Sequence, residues 1–127
     1  GVYFSACSQP STWQNALDIC IGRGYDGLAT ITSEDENNFI HELLPTHIEN
    51  NSGVFWIGLN DLTTEGDFEW SSGVGSGYSN WVDSEDTEND SEDCTSIYSN
   101  VFVDYLQWND QNCNTNYSYI CERRGWQ

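Results

Sequence analysis

Positive charge is nearly absent from this 127-residue chain: Arg23, Arg123 and Arg124 are its cationic side chains, against 21 carboxylates, for a formal charge of −18. That balance excludes a nucleic-acid partner, because phosphate binding needs a basic surface that releases counterions. Long apolar runs are also missing, so no membrane insertion is expected. No signal peptide heads the sequence, which reads as a mature fragment. Proline occurs twice and methionine not at all. Neither an internal repeat nor a linker is visible, and residues 1–127 are expected to form a single domain. The two histidines, His41 and His47, are read as surface residues and given no role.

Aromatic residues are abundant instead. Six Trp, seven Tyr and five Phe supply a core despite a hydrophilic average. Val2-Tyr3-Phe4 reads as a short strand. Pro10 to Gln14 predicts a helix start, with Ser11 and Gln14 as a capping box. Trp13, Ala16, Leu17 and Cys20 then fall at the spacing of one buried helical face, and Gly22 and Gly24 end the helix. Leu28 to Ile31 is extended. Ser33 and Glu36 form a second capping box, opening a helix with an apolar stripe of Phe39, Ile40, Leu43 and Leu44, stopped by Pro45.

From Asn50 onward the helical period disappears. The continuous apolar run Val54 to Leu59 suits a strand covered on both faces. Further strands are expected at Asp67 to Trp70, Cys94 to Tyr98, Phe102 to Trp108 and Tyr117 to Cys121. Helices precede most strands, so the fold class is α+β with antiparallel sheet.

Between Asp83 and Asp93 lie seven carboxylates with no Lys or Arg among them. Such a run is usually a solvated tail. Here Trp81 interrupts it and Cys94 closes it, so an ordered loop is expected, and its mutual repulsion calls for a bound cation. Oxygen donors without nearby His or Cys select calcium over zinc. Five Cys together with the sequons at Asn50, Asn89 and Asn116 suggest a secreted, extracellular setting. The odd count leaves one Cys over, and spacing alone leaves the connectivity open.

These pieces resemble the C-type lectin-like domain, over nearly the whole chain. The matching features are Tyr3-Phe4, the Trp13, Ala16, Cys20 helix, Leu28-Ala29, Ile31, Ser33 and Glu36, and Trp56-Ile57-Gly58-Leu59. They continue with Phe68 and Trp70, Asn80-Trp81, Glu92-Asp93-Cys94, Trp108-Asn109-Asp110, Cys113 and Tyr119-Ile120-Cys121-Glu122. The resemblance implies a disulfide-bonded fold of two helices, antiparallel sheets and a long calcium-binding loop region. It implies the pairs Cys20–Cys121 and Cys94–Cys113, closing loops whose cross-linking is worth about 4.7 and about 3 kcal/mol on the chain-entropy model. Cys7 is then left over. A free exposed thiol is uncommon in a secreted domain, so an interchain bridge and a homodimer are expected there.

The resemblance further implies two calcium sites. A sugar-binding site maps onto Glu85, Thr87, Glu92, Asn109 and Asp110, where calcium ligands also hydrogen-bond sugar hydroxyls. An auxiliary, loop-ordering site maps onto Asp61, Glu65, Glu88 (or Asp90), Glu92 and Asp93. Two positions depart from the family motif. Asp86 replaces a proline whose peptide bond is cis in the family, and a cis bond here would cost about 3–4 kcal/mol, so a trans path is expected. Thr87 replaces an asparagine, and a hydroxyl is a poorer calcium ligand than an amide carbonyl. A second registration would place the motif at Glu88-Asn89-Asp90.

Glu85 resembles the mannose-type rather than the galactose-type motif. The expectation is therefore a calcium-dependent lectin for cell-surface or microbial glycans, able to agglutinate if dimeric, in innate recognition. The alternative is a calcium-stabilised module for a protein or other non-sugar ligand. Ice binding at the same loop is a third reading. Catalysis is not expected, because no nucleophile–base arrangement is visible and metal ligation would occupy the paired carboxylates.

Overall fold

The computed structural model describes residues 2–41, 54–64, 67–73, 77–80, 93–98 and 107–124. The elements in order are β1 (Val2–Ser11), α1 (Trp13–Gly22), β2 (Gly27–Leu28), α2 (Glu34–His41), β3 (Val54–Asn60), β4 (Glu69–Trp70), β5 (Cys94–Tyr98), β6 (Trp108–Gln111) and β7 (Tyr117–Arg124). The class is α+β. One sheet runs β1-β7-β3-β5-β6, with β2 attached to β7 and β4 to β3. One pairing departs from the antiparallel expectation, since β3 and β7 run parallel, Phe55 against Ser118 and Trp56 against Tyr119. Both strands are buried there, the usual setting of parallel pairs.

The first strand is much longer than Val2 to Phe4. It pairs with β7 from Val2↔Arg124 to Ser11↔Tyr117, with a register shift between Cys7 and Ser11. Pro10 lies within that shift, where its missing N–H costs least. Ser11 is consequently a strand residue, and its carbonyl accepts Trp56 Nε1 at 2.8 Å. Thr12 caps α1 in its place, its hydroxyl accepting the Asn15 N–H, while Gln14 turns to Asp18. At the other end Gly24 adopts φ 94°. Its N–H reaches Ile21 O and that of Tyr25 reaches Cys20 O, the paired bonds of a left-handed helix stop.

The second capping box is half realised. Ser33 Oγ accepts the Glu36 N–H at 3.1 Å, but the Glu36 carboxylate accepts Thr32 N and Oγ1. On α2, Ile40 is buried and Phe39 is exposed, and Asn37 joins the buried face. Leu43 and Leu44 lie outside the described residues.

The β3 strand divides the interior into two clusters. Phe55, Ile57 and Leu59 join Phe4, Ile31, Ile40, Trp70, Ile97, Trp108 and Ile120. Trp56 faces the other way, among Trp13, Ala16, Leu28 and Tyr119. Between them Gly58 is squeezed: a Cβ there would stand 2.7 Å from Ser71 Oγ and 3.1 Å from Ala29 O. Disulfides Cys20–Cys121 and Cys94–Cys113, with Cα separations of 5.5 and 5.2 Å, tie α1 to β7 and β5 to the turn after β6. These are the two pairs the family resemblance implies.

A charged clamp locks α2 to the last strand. Arg124 donates to both Glu36 oxygens, both Glu122 oxygens and Thr30 O. Glu122, 1% exposed, also accepts Thr30 N at 2.7 Å. Burial alone would raise the Glu36 pKa, but the Arg124 and Thr32 hydrogen bonds outweigh it and hold the carboxyl below its ordinary value. Asp26, Ser71 and Ser72 join Glu122 and Arg124 around an open cleft of about 380 Å³.

Candidate functional site

Asn109 and Asp110 sit on β6, whose residues Trp108 to Gln111 alternate buried and half-buried. The β5–β6 ladder sets Asp110 opposite Thr95 and Asn109 opposite Ser96. At the β3 end of the same sheet, Asn60 pairs with Cys94, and the Asp61 N–H donates to Asp93 O at 2.9 Å. Sheet register therefore gathers the β3 exit, the β5 entry and β6 at one edge. That edge carries four of the residues implied as ligands: Asp61, Asp93, Asn109 and Asp110.

Two of these carboxylates are deeply placed, Asp110 at 0% and Asp61 at 2% exposure. Asn109 is fixed by its amide, which donates to Tyr98 Oη at 2.6 Å. Its carbonyl oxygen Oδ1 is buried and meets no hydrogen-bond donor among the described residues. An amide oxygen in that state costs about 1–3 kcal/mol unless something accepts its lone pairs. Hard oxygen donors with one unsatisfied amide oxygen fit a calcium ion. Among the described residues no three His, Cys, Asp or Glu side chains group as a metal site. Glu65, Glu85, Asp86, Thr87, Glu88, Asp90 and Glu92 lie outside the described residues, as do Trp81 and Trp126.

Three residues that sequence reasoning passed over shape this edge. Asn60 Oδ1 accepts the Leu62 N–H, and its amide donates to Gly58 O and Glu69 O. Its local turn carries Asp61 out of β3, an ordinary use of Asn at a strand end. Tyr98 orients Asn109. Asn37 accepts Trp108 Nε1 at 3.0 Å, a buried bond spanning 71 positions. Trp108 also donates its backbone N–H to Asn80 O at 2.8 Å, and packs edge-on against Trp70 and Tyr78. It thus ties α2, the approach to the acidic run and the start of Asn109-Asp110 together. The Asn60 turn had a signal in its residue type; the long-range partner of Asn37 had none.

The family model for the lectin C-type domain matches residues 9–123. The chain belongs to the C-type lectin family. Lectin BRA-3 of Megabalanus rosa is 35% identical over 125 residues, covering 94% of this chain and 72% of the relative. Among solved structures, the herring type II antifreeze protein superposes with a TM-score of 0.84 at 25% identity, covering 99% of this chain and 93% of that one. The C-type lectin CEL-I from Cucumaria echinata superposes with a TM-score of 0.80 at 26% identity, covering 95% and 89%. C-type lectin domains are non-enzymatic carbohydrate binders that generally bind calcium, although some relatives are calcium-independent. The chain is accordingly no enzyme.

Proposed function

We propose that this C-type lectin domain is a secreted, single-domain, calcium-dependent receptor for glycans of cell surfaces or microbes. The observation that carries the reading is the buried Asn109 Oδ1, without a hydrogen-bond donor among the described residues, next in sequence to the fully buried Asp110. Asn109, Asp110, Glu85 and Glu92 would hold the ion that a sugar meets, with Thr87 beside it. Asp61, Glu65, Glu88, Glu92 and Asp93 would hold a loop-ordering ion. A bound calcium would supply Lewis-acid coordination for vicinal hydroxyls. The chain's own part is to orient the amide and carboxylate oxygens that accept those hydroxyls' protons in hydrogen bonds, which Tyr98 and the Trp108–Asn37 bond do for β6.

Glu85 favours mannose-type over galactose-type ligands. Two disulfides support an oxidising compartment, and Asn116, the one sequon residue among those described, is exposed. A second reading rests on Asp86 and Thr87, which replace motif positions, and on the likeness to an antifreeze protein: a calcium-ordered module whose ligand is a protein or another non-sugar surface. Binding to a glycan array, with calcium and with chelator, separates the two. Calcium-dependent retention on mannose-type glycans is expected; no retention on any glycan leaves the second reading.

A further inference from the structure

Two hydroxyls of β5 face the two candidate ligands of β6. Ser96 Oγ donates to Asn109 O across the ladder at 3.3 Å, and the hydroxyl of Tyr98, at the end of the same strand, takes the Asn109 amide. One position before Ser96, and so on the other side of the sheet, Thr95 stands opposite Asp110. Both are 0% exposed. Directly opposed residues of an antiparallel pair hold their Cβ atoms about 4.5–5.5 Å apart on one face, where a hydroxyl can reach a cross-strand partner.

Packing does not explain a hydroxyl at position 95. The next pair on the same face is Ile97 with Trp108, both in the apolar cluster around Phe55 and Ile57, so packing alone would favour valine, which has the same shape. Thr95 Oγ1 is buried and meets no hydrogen-bond partner among the described residues. Buried hydroxyls are rarely left so, and each such case calls for an explanation.

A carboxylate offers about four lone-pair sites, so Asp110 can turn one oxygen to an ion and accept a hydrogen bond on the other. Carboxylates that ligate metals are themselves hydrogen-bonded as a rule. A neutral donor suits that task. An arginine there would neutralise the acid, as Arg124 does for Glu122, and would repel the cation. With the calcium-dependent reading above as its basis, we propose that Thr95 is a positioning residue of the calcium edge: its hydroxyl donates to the Asp110 carboxylate and fixes the plane in which that carboxylate meets the ion.

Calcium titration calorimetry, and chemical denaturation in chelator, are run on wild type, Thr95→Val, Thr95→Ser and Asp110→Asn. Thr95→Val keeps the shape and drops the donor. Its calcium affinity should fall about 10–100-fold, the usual effect of losing an outer-shell partner, while its midpoint in chelator does not fall. Thr95→Ser keeps the donor and loses a methyl, so its midpoint in chelator should fall while its calcium affinity stays near that of wild type. A packing role alone would give the reverse pattern. Equal calcium affinity in wild type and Thr95→Val, an affinity loss shared by Thr95→Ser, or a lower chelator midpoint in Thr95→Val each overturns the role of Thr95. If Asp110→Asn still binds calcium more weakly than wild type, the calcium reading survives that failure. A wild type that binds no calcium overturns the reading and the role of Thr95 together.

Discussion

Glu122 and Asp110 are both buried acids in strands of one sheet, at 1% and 0% exposure, yet the chain treats them differently. Glu122 has its counter-charge built in: Arg124 grips both its oxygens and reaches on to Glu36. Asp110 stands next to an amide oxygen that no described donor reaches. A buried charge is tolerated when paired and hydrogen-bonded or when it coordinates a metal. The body of the domain takes the first course. Under the function proposed above, the edge that carries Asp61, Asp93, Asn109 and Asp110 takes the second course, with the cation drawn from solution in a chain that has three arginines.

Cutting the Cys20–Cys121 bridge with paired alanines should weaken the body most. It spans 101 positions, and the chain-entropy model assigns such a loop about 4.7 kcal/mol, to be read as a lower denaturation midpoint with or without calcium. Removing calcium should unfold the edge selectively. At one hundred times its dissociation constant the ion contributes about 2.7 kcal/mol, so chelator should lower the melting temperature. A melting curve indifferent to calcium would place the edge with the body.

Glu36→Gln should cost about 1.5–3 kcal/mol, the range for hydrogen bonds to charged groups, and equally so in chelator. Acid tests the same clamp. The Glu36 pKa lies below its ordinary 4.5 in the fold, so its contribution is complete above that value and is lost as pH falls through the lower, folded-state pKa. Denaturation midpoints measured in chelator across that range should fall in wild type and stay flatter in Glu36→Gln. The smallest change in basal stability belongs to Asp110→Asn. Without calcium its midpoint should stay close to wild type, because Asn keeps the shape of Asp, while the rise given by calcium disappears.

The body was legible in the sequence where periodicity speaks. Trp13, Ala16 and Cys20 form the buried face of α1, and the unbroken apolar run of β3 is buried throughout. The α1 cap was displaced by one residue because strand pairing claimed Ser11, and pairing depends on β7, more than a hundred residues on. The Arg124 clamp was invisible for the same reason, with Glu36 and Arg124 88 positions apart. Asn37 carries no signal of burial in the sequence, and its buried place on α2 goes with its bond to the Trp108 indole. At the edge, residue type pointed only to a cation for an acidic loop, and it was the family resemblance that implied Asp61, Asp93, Asn109 and Asp110 as ligands. Register then showed how they converge, which composition alone does not encode.

Equilibrium calcium binding to wild type and to Asp110→Asn, followed by isothermal titration calorimetry at neutral pH, tests the division most directly. The proposal predicts saturable binding to wild type and loss of at least one site in Asp110→Asn with the fold intact. No calcium binding by the folded wild type, or an isotherm unchanged in the variant, would contradict it.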